Sequence, residues 1–262
     1  MDNGMIIVDW LSVATGLGLA FVAIGLSYFQ GFRMERDLII GVVRAVLQLT
    51  ILGYVLAYVF LIKSVWYTAL ILLLMAFAAA VTAKGRIKRP YPGAIPVLWI
   101  SIAGGSFFAV TYITILTMAD PQALTPRYLI PLGGMAIGNV LNGISLAGER
   151  FCSELESQRD RIEVLLSLGA DSHRAAAESV RAAFTAAMIP TLNMLMVVGL
   201  IQIPGIMVGQ VLTGTDPLIA ARYQLLVLFM IVGGKTLSLT IGLRLAVRKY
   251  FTPEHQLRKE LL

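Results

Sequence analysis

The stretch Glu163-Val164-Leu165-Leu166-Ser167-Leu168-Gly169-Ala170-Asp171 lies in the one long polar run between the hydrophobic segments of this chain. Four apolar residues recur here at helical spacing, namely Ile162, Leu165, Leu166 and Leu168. They lie on the helix face opposite Glu156, Arg159, Asp160 and Glu163 and predict an amphipathic helix. Gly169 suits the position after a helix end, where φ is positive, and Asp171 or Ser172 can cap a second helix. The stretch therefore predicts a helix, a tight turn and a second helix that continues into the next hydrophobic segment.

The composition is that of a membrane protein. Hydrophobic residues make up 58% and charged residues 14% of the 262 residues, whereas soluble domains carry about 25% charge. The net charge of +6 does not indicate nucleic-acid binding, because the cations fall in short connectors between apolar segments. The single cysteine, Cys152, excludes an internal disulfide. The first apolar segment follows Asp2 and Asp9 without a basic residue, so we expect it to stay as a membrane span.

Seven hydrophobic segments are long enough to cross a bilayer core of roughly 30 Å, which takes about 20 residues. They cover roughly residues 10–32, 38–62, 64–83, 94–118, 128–148, 186–212 and 223–247. The sequence therefore predicts an all-α, polytopic protein with about seven transmembrane helices. The sixth segment is too long for one straight crossing and contains Pro204-Gly205. We expect a helix to about Gln202, a break, and a short helix near 206–212.

The distribution of Lys and Arg predicts the orientation of the chain. Basic residues are concentrated in the first connector, in 84–93, in 149–185 and after residue 247, whereas the other connectors hold one each. With seven spans, all the basic segments fall on the same side of the membrane. The sequence therefore predicts an N-terminus outside, a C-terminus in the cytoplasm, and a multi-pass location in the inner (plasma) membrane.

A few polar residues lie within the predicted spans and are candidates for a substrate path. They are Arg44, Gln48, Asn139, Asn142, Asn193 and Lys235. Lys235 is the most informative, because a cation near the middle of a bilayer costs at least a few kcal/mol unless it faces a wet cavity or a partner. For the others, snorkelling and ordinary helix–helix hydrogen bonding are alternative explanations. The predicted spans contain no Asp, Glu, His or Cys, so we predict no metal site.

Gly234-Lys235-Thr236 has the ending of a phosphate-binding loop but not its context. Phe229 stands where that loop has its first glycine, and the tripeptide lies inside a predicted span. We therefore predict that the chain is not an enzyme and holds no cofactor. Any ATP and Mg²⁺ would bind to a partner subunit.

The spacing from Glu163 to Gly169 resembles the coupling loop of ABC transporter permeases, Glu-x-x-x-x-x-Gly, which docks in a groove of the ATP-binding subunit. Ordered motifs along the chain also look like the FetB-like iron-export permease family, whose plant relatives are linked to aluminium tolerance and nucleotide-sugar transport. These motifs include Arg44-x-x-x-Gln48-Leu49, Ile130-Pro131, Gly138-Asn139, Leu166-Ser167-Leu168-Gly169-Ala170, Ile189-Pro190-Thr191 and Pro204-Gly205.

This resemblance implies a single transmembrane permease domain over residues 1–262, with a cytoplasmic coupling segment at about 149–185. A separate ATP-binding cassette subunit would contact that segment, and two copies of the permease would form the transport path. The residues that the resemblance assigns to coupling are Glu163, Leu166, Leu168, Gly169, Ala170 and Asp171. It implies export of iron or an iron complex.

Two alternatives accompany this interpretation. The intramembrane cations favour an anionic organic solute, such as a nucleotide sugar, as the substrate of the same kind of permease. A secondary carrier that works without ATP is the alternative of another class. It would need an ion-coupling residue, and the carboxylates that usually serve in this role are absent from the predicted spans.

Overall fold

A computed structural model describes residues 9–62 and 64–261, and these residues form helices and turns without a β-strand. The α-helices are α1 (Trp10–Gln30), α2 (Glu35–Val59), α3 (Val65–Arg86), α4 (Ala94–Thr111), α5 (Pro126–Ser157), α6 (Arg159–Ser167), α7 (Ser172–Ala175), α8 (Ala177–Val197), α9 (Gly205–Leu212) and α10 (Pro217–Tyr250). α4 continues as a π-helix over Tyr112–Met118. Seven of the described helical segments are long and apolar enough to cross a membrane. The predicted all-α, polytopic fold with seven membrane helices is confirmed.

The described chain divides into two compact units, of which the smaller is the hairpin of α1 and α2 with residues 212–214. α1 begins where the Asp9 carboxylate accepts a hydrogen bond from the Ser12 N–H at 2.8 Å, and it ends at Gly31, whose φ is +69°. The Ser27 hydroxyl donates to the Glu35 carboxylate at 3.1 Å across the turn into α2. The outer faces of both helices are apolar and exposed, as expected of helices that meet lipid. The single-domain prediction for 1–262 stays a prediction.

In the larger unit, α4 and α10 touch backbone to backbone. Both helices carry small residues at four-residue spacing, namely Ser101, Gly105 and Ala109 on α4 and Gly234, Ser238 and Gly242 on α10. A Cβ placed on Gly105 would lie 2.4 Å from the Gly234 carbonyl oxygen and 2.7 Å from the Ser238 nitrogen. Such stripes let membrane helices approach closely enough for extensive van der Waals contact. This contact fixes the position of α10, which carries Lys235.

The basic connector between α3 and α4 lies beside the polar ends of α5 and α10. The Lys88 N–H donates to the Glu149 carboxylate at 2.8 Å, and Arg89 pairs with Glu156 at 3.1 Å. The Tyr250 hydroxyl donates to the Arg89 carbonyl oxygen at 3.3 Å. These basic segments therefore share one end of the larger unit, as the charge distribution predicts. Which side of the membrane this end faces stays a prediction.

The sixth crossing differs from the prediction in where its helix ends. α8 ends at Val197, five residues before the expected end at Gln202, and α9 then runs from Gly205 to Leu212. Gly199 adopts a φ of +82°, and its N–H donates to the Gln202 carbonyl oxygen at 2.9 Å. This glycine turn ends the helix before Pro204 is reached, because a positive φ is incompatible with a continuing right-handed helix. The break and the short helix are confirmed, and the predicted helix end is wrong.

Candidate coupling turn and membrane-embedded polar residues

Residues 163–171, called the coupling turn here, end α6 with two backbone hydrogen bonds. The Gly169 N–H donates to the Leu166 carbonyl oxygen and the Ala170 N–H donates to the Leu165 carbonyl oxygen, each at 3.0 Å. Gly169 has a φ of +90°. This pairing is the Schellman motif, which satisfies carbonyl groups that a helix end leaves free. The predicted glycine turn is therefore present and internally hydrogen-bonded.

The chain leaves the coupling turn directly into the helices that enter the membrane region. The Asp171 carboxylate accepts from the Arg174 N–H at 2.8 Å and caps α7, and this hydrogen bond lowers the pKa of Asp171. Only Ala176 separates α7 from α8, and the Val180 N–H donates to its carbonyl oxygen at 2.9 Å. The turn and α8 are thus joined by one hydrogen-bonded, nearly continuous helical path.

The apolar residues of this region divide into a buried and an exposed set. Ile162 is 1% exposed in the main core, and Leu165 and Leu166 pack against that core. Leu168, by contrast, is 78% exposed, and Val164 is 56% exposed. Leu168 therefore does not share the buried face of the amphipathic helix, because the helix ends at Ser167 and Leu168 lies at its cap. The exposed side chains of Val164 and Leu168 are available for contact with a partner.

The chain after α10 packs against the coupling turn, which the sequence patterns did not predict. The Ser172 hydroxyl lies 2.6 Å from His255 Nδ1, and the Ser172 N–H donates to the same nitrogen at 3.2 Å. Lys259 pairs with Glu163 at 2.9 Å. Hydrogen bonds from Lys259 and then from Arg159 lower the pKa of Glu163, so both pairs persist at neutral pH and are lost only as the pH falls through that lowered value.

Lys235 lies in the interior of the larger unit, with its ammonium group held by a hydroxyl. The side chain is 4% exposed, and its Nζ donates to Thr191 Oγ1 on α8 at 2.7 Å. The methylene groups of its side chain pass over Gly143 of α5, and a Cβ added to Gly143 would lie 2.3 Å from Lys235 Cε. A lysine ammonium has three donors. In the part of the chain that the structure describes, this hydroxyl is the one acceptor assigned to it.

The remaining candidate path residues make separate local contacts. Arg44 and Gln48 are exposed on α2, in the smaller unit. The Asn139 amide donates to the Met135 carbonyl oxygen of its own helix at 2.9 Å. Asn142 accepts from Arg86 at 2.9 Å, and Asn193 is exposed on α8. No hydrogen bond among the described residues joins any two members of this set, and their role in a substrate path stays a prediction.

Gly234-Lys235-Thr236 lies within α10, where Gly234 and Lys235 are buried. Gly234 faces Gly105 of α4, so its lack of a side chain serves helix packing. A phosphate-binding loop needs the same residues between a strand and a helix. Over residues 9–62 and 64–261, no three His, Cys, Asp or Glu side chains come together as a potential metal site.

One protein-family profile matches this chain. The family described as "Uncharacterised protein family (UPF0014)" matches residues 10–251, which is nearly the whole chain. The chain belongs to this family. No solved structure matches the chain at a significant level.

Members of the UPF0014 family from bacteria and plants resemble this chain along almost its full length. A UPF0014 membrane protein of Synechocystis is 39% identical over 257 residues, covering 98% of this chain and 99% of the relative. The probable iron export permease protein FetB of Escherichia coli is 35% identical, covering 94% and 93%. The protein ALUMINUM SENSITIVE 3 of Arabidopsis thaliana is 32% identical, covering 95% and 93%. The predicted resemblance to FetB-like proteins and the predicted multi-pass membrane protein are confirmed.

Proposed function

We propose that this UPF0014 protein is the membrane-spanning subunit of an ATP-driven exporter and that a separate ATP-binding subunit docks on the coupling turn. The observation that most directly supports this proposal is that exposed Leu168 lies on a turn with two backbone hydrogen bonds, and this turn continues through α7 into α8. A partner that displaces such a turn displaces the attached helix, because little flexible chain lies between them. The Escherichia coli relative is named an export permease, which supports this proposal. The basic end would then face the cytoplasm, where ATP is available.

Leu168→Gln is expected to weaken binding of the ATP-binding subunit about tenfold, since burying a leucine side chain against a partner contributes about 1.5–3 kcal/mol. The side chain is 78% exposed, so folding of the isolated permease should be unchanged. Co-purification of the two subunits from detergent would measure the effect. Leu168→Met keeps the apolar surface and serves as the matched control. Equal binding by the two variants would contradict docking at this residue.

The substrate is proposed to be iron or an iron complex, because the Escherichia coli relative is named an iron export permease. The buried ammonium of Lys235 supports a second candidate, an anionic organic solute. A buried cation with a neutral hydroxyl as its partner costs free energy in the membrane, and an anionic group on the substrate would compensate that charge. A negatively charged iron complex would satisfy both observations.

Lys235→Met is expected to lower transport of an anionic substrate about tenfold or more, since the variant loses a buried charge–charge contact. The fold should persist, because an apolar side chain of similar volume commonly replaces a buried charge without loss of stability. Transport assays in vesicles, with anionic iron complexes and nucleotide sugars compared with free Fe²⁺, would measure the effect. Lys84→Met removes an exposed lysine and is the control. Undiminished transport of every anionic solute would contradict a substrate-binding role for Lys235.

We further propose that two copies of the permease associate through α8. Asn193 is exposed on this helix, and its apolar neighbours Ile189, Leu192 and Met196 are 48%, 44% and 75% exposed. An amide that faces lipid leaves its hydrogen bonds unmade, and membrane helices commonly satisfy such groups across a helix–helix interface. A second copy on this face would bury the amide and would place two α8 helices beside one path.

A further inference from the structure

The segment after α10 forms a small hairpin with a defined shape. Phe251 and Leu257 pair as an isolated antiparallel bridge, and the Thr252 N–H donates to the Gln256 carbonyl oxygen at 2.8 Å. The Arg258 N–H returns to the Tyr250 carbonyl oxygen at 2.9 Å. Phe251 and Leu257 are buried in the same core as Ile162 of α6. Residues 251–258, called the C-terminal hairpin, are therefore a packed element.

Two contacts hold the C-terminal hairpin beside the coupling turn, one made by the residue just after the turn and one by the residue just after the hairpin. His255 contacts Ser172 at the start of α7, and Lys259, just after the hairpin, pairs with Glu163 of α6. His255 has a φ of +59°, which non-glycine residues seldom adopt. The hydrogen bonds from Ser172 hold its ring in place. The coupling turn and the hairpin therefore form one composite surface.

An open cleft of about 670 Å³ lies between α6 and the segment that follows α10. One wall is α6 with Glu163 and Leu166, and the other is the tail with Glu254, Gln256 and Glu260. The lining also includes Leu257 and Lys259, whereas the exposed side chains of Val164 and Leu168 lie outside it. A cleft of this size accommodates several side chains of a partner.

The carboxylates that line this cleft differ in whether a neighbouring cation neutralises them. Glu163 is neutralised by Lys259 and Arg159. Within the described ranges, neither Glu254 nor Glu260 takes part in an ion pair, so two carboxylates are left without a compensating cation. A second cleft of about 370 Å³, which shares His255 with the first, is lined by Arg248 and Arg258. The carboxylates of Glu254 and Glu260 and these two arginines therefore belong to different clefts.

We propose that this cleft is part of the docking surface for the ATP-binding subunit and receives a basic segment of that subunit. The inference rests on the proposed function and adds a second binding element, the C-terminal hairpin, to the coupling turn. Charge complementarity selects the occupant, because carboxylates without a compensating cation suit lysine or arginine residues of a partner. The hairpin follows α10, and the coupling turn leads through α7 into α8, so a partner bound here acts on segments joined to both helices.

The test compares two double variants that each remove two negative charges. Glu254→Gln with Glu260→Gln neutralises the two unpaired carboxylates of the cleft, and Asp37→Asn with Asp160→Asn neutralises two exposed carboxylates outside it that take part in no ion pair within the described ranges. Binding of the purified ATP-binding subunit of the transporter to immobilised full-length permease is measured at low and high salt. We expect the cleft variant to associate about three- to tenfold more slowly and with a weaker salt dependence, because charges at an interface act mainly on the association rate. The control variant should bind as the unchanged chain does.

Two results would overturn the inference and are distinguishable. If the cleft variant binds at the rate and salt dependence of the unchanged chain, while Leu168→Gln binds weakly, docking at the coupling turn stands and the hairpin has no part in it. If the unchanged permease does not bind the ATP-binding subunit at all, the proposed function fails and the inference fails with it.

Discussion

Gly105→Ala is expected to destabilise the larger unit strongly. The new methyl group would lie 2.4 Å from the Gly234 carbonyl oxygen and 2.7 Å from the Ser238 nitrogen. Both are main-chain atoms, so a rotamer change cannot relieve the overlap, and α4 must move away from α10. Overpacking of this kind costs typically about 1–3 kcal/mol and occasionally more. We expect the upper part of that range because the contact is to backbone.

Gly104→Ala provides the matched control for this substitution. A Cβ at Gly104 meets Ile241 Cδ1 at 3.4 Å, which is ordinary contact with the end of a flexible side chain. Alanine in a helix interior is otherwise favoured over glycine by about 0.5–1 kcal/mol. The same change at adjacent positions should therefore lower the melting temperature at 105 and leave it unchanged or raise it at 104. Thermal unfolding of the detergent-purified protein, followed by size-exclusion chromatography, measures both. Equal melting temperatures would contradict the α4–α10 packing.

Gly169→Val is expected to abolish ATP-dependent transport and binding of the ATP-binding subunit. Gly169 has a φ of +90°, and nothing lies within 4 Å of a Cβ placed there. The penalty is therefore conformational, about 1–3 kcal/mol for a β-branched residue held at positive φ. The turn can escape this strain by giving up its hydrogen bonds to Leu165 and Leu166. Leu168 and Asp171 would then lose their positions, while the buried core stays intact.

Gly169→Asn separates this explanation from a general effect of adding a side chain. Asparagine is among the residues that accept a positive φ, so this variant should keep most of the binding and transport. Co-purification with the ATP-binding subunit and transport in vesicles would measure both variants, with melting temperature as the check on folding. If valine is tolerated as well as asparagine, the shape of the turn has no part in coupling.

The membrane helices and the glycine turn were predictable from sequence because both depend on local properties. Long apolar runs must bury their backbone hydrogen bonds in helices, whatever their neighbours are. Gly169 and Asp171 act within a few residues of themselves, so their spacing predicted the Schellman motif and the cap. The early end of α8 was harder to predict, because Gly199 and Pro204 are both helix-breaking residues and sequence alone favoured the proline.

Contacts between distant segments could not be predicted. Lys235 was recognised as an unusual membrane cation, but its partner Thr191 and the space over Gly143 depend on how three helices pack. The C-terminal hairpin has no hydrophobic periodicity, and its basic residues indicated only orientation. Its attachment through His255 and Lys259 depends on segments more than 80 residues apart.

Transport by the purified chain in proteoliposomes, with and without its ATP-binding subunit, distinguishes an ATP-driven permease from a carrier that works without ATP. We expect the substrate to move only when both subunits and hydrolysable ATP are present, and we expect a non-hydrolysable analogue to stop it. Transport by this chain alone, at the same rate with and without the partner, would contradict ATP-driven export and would favour an ATP-independent carrier.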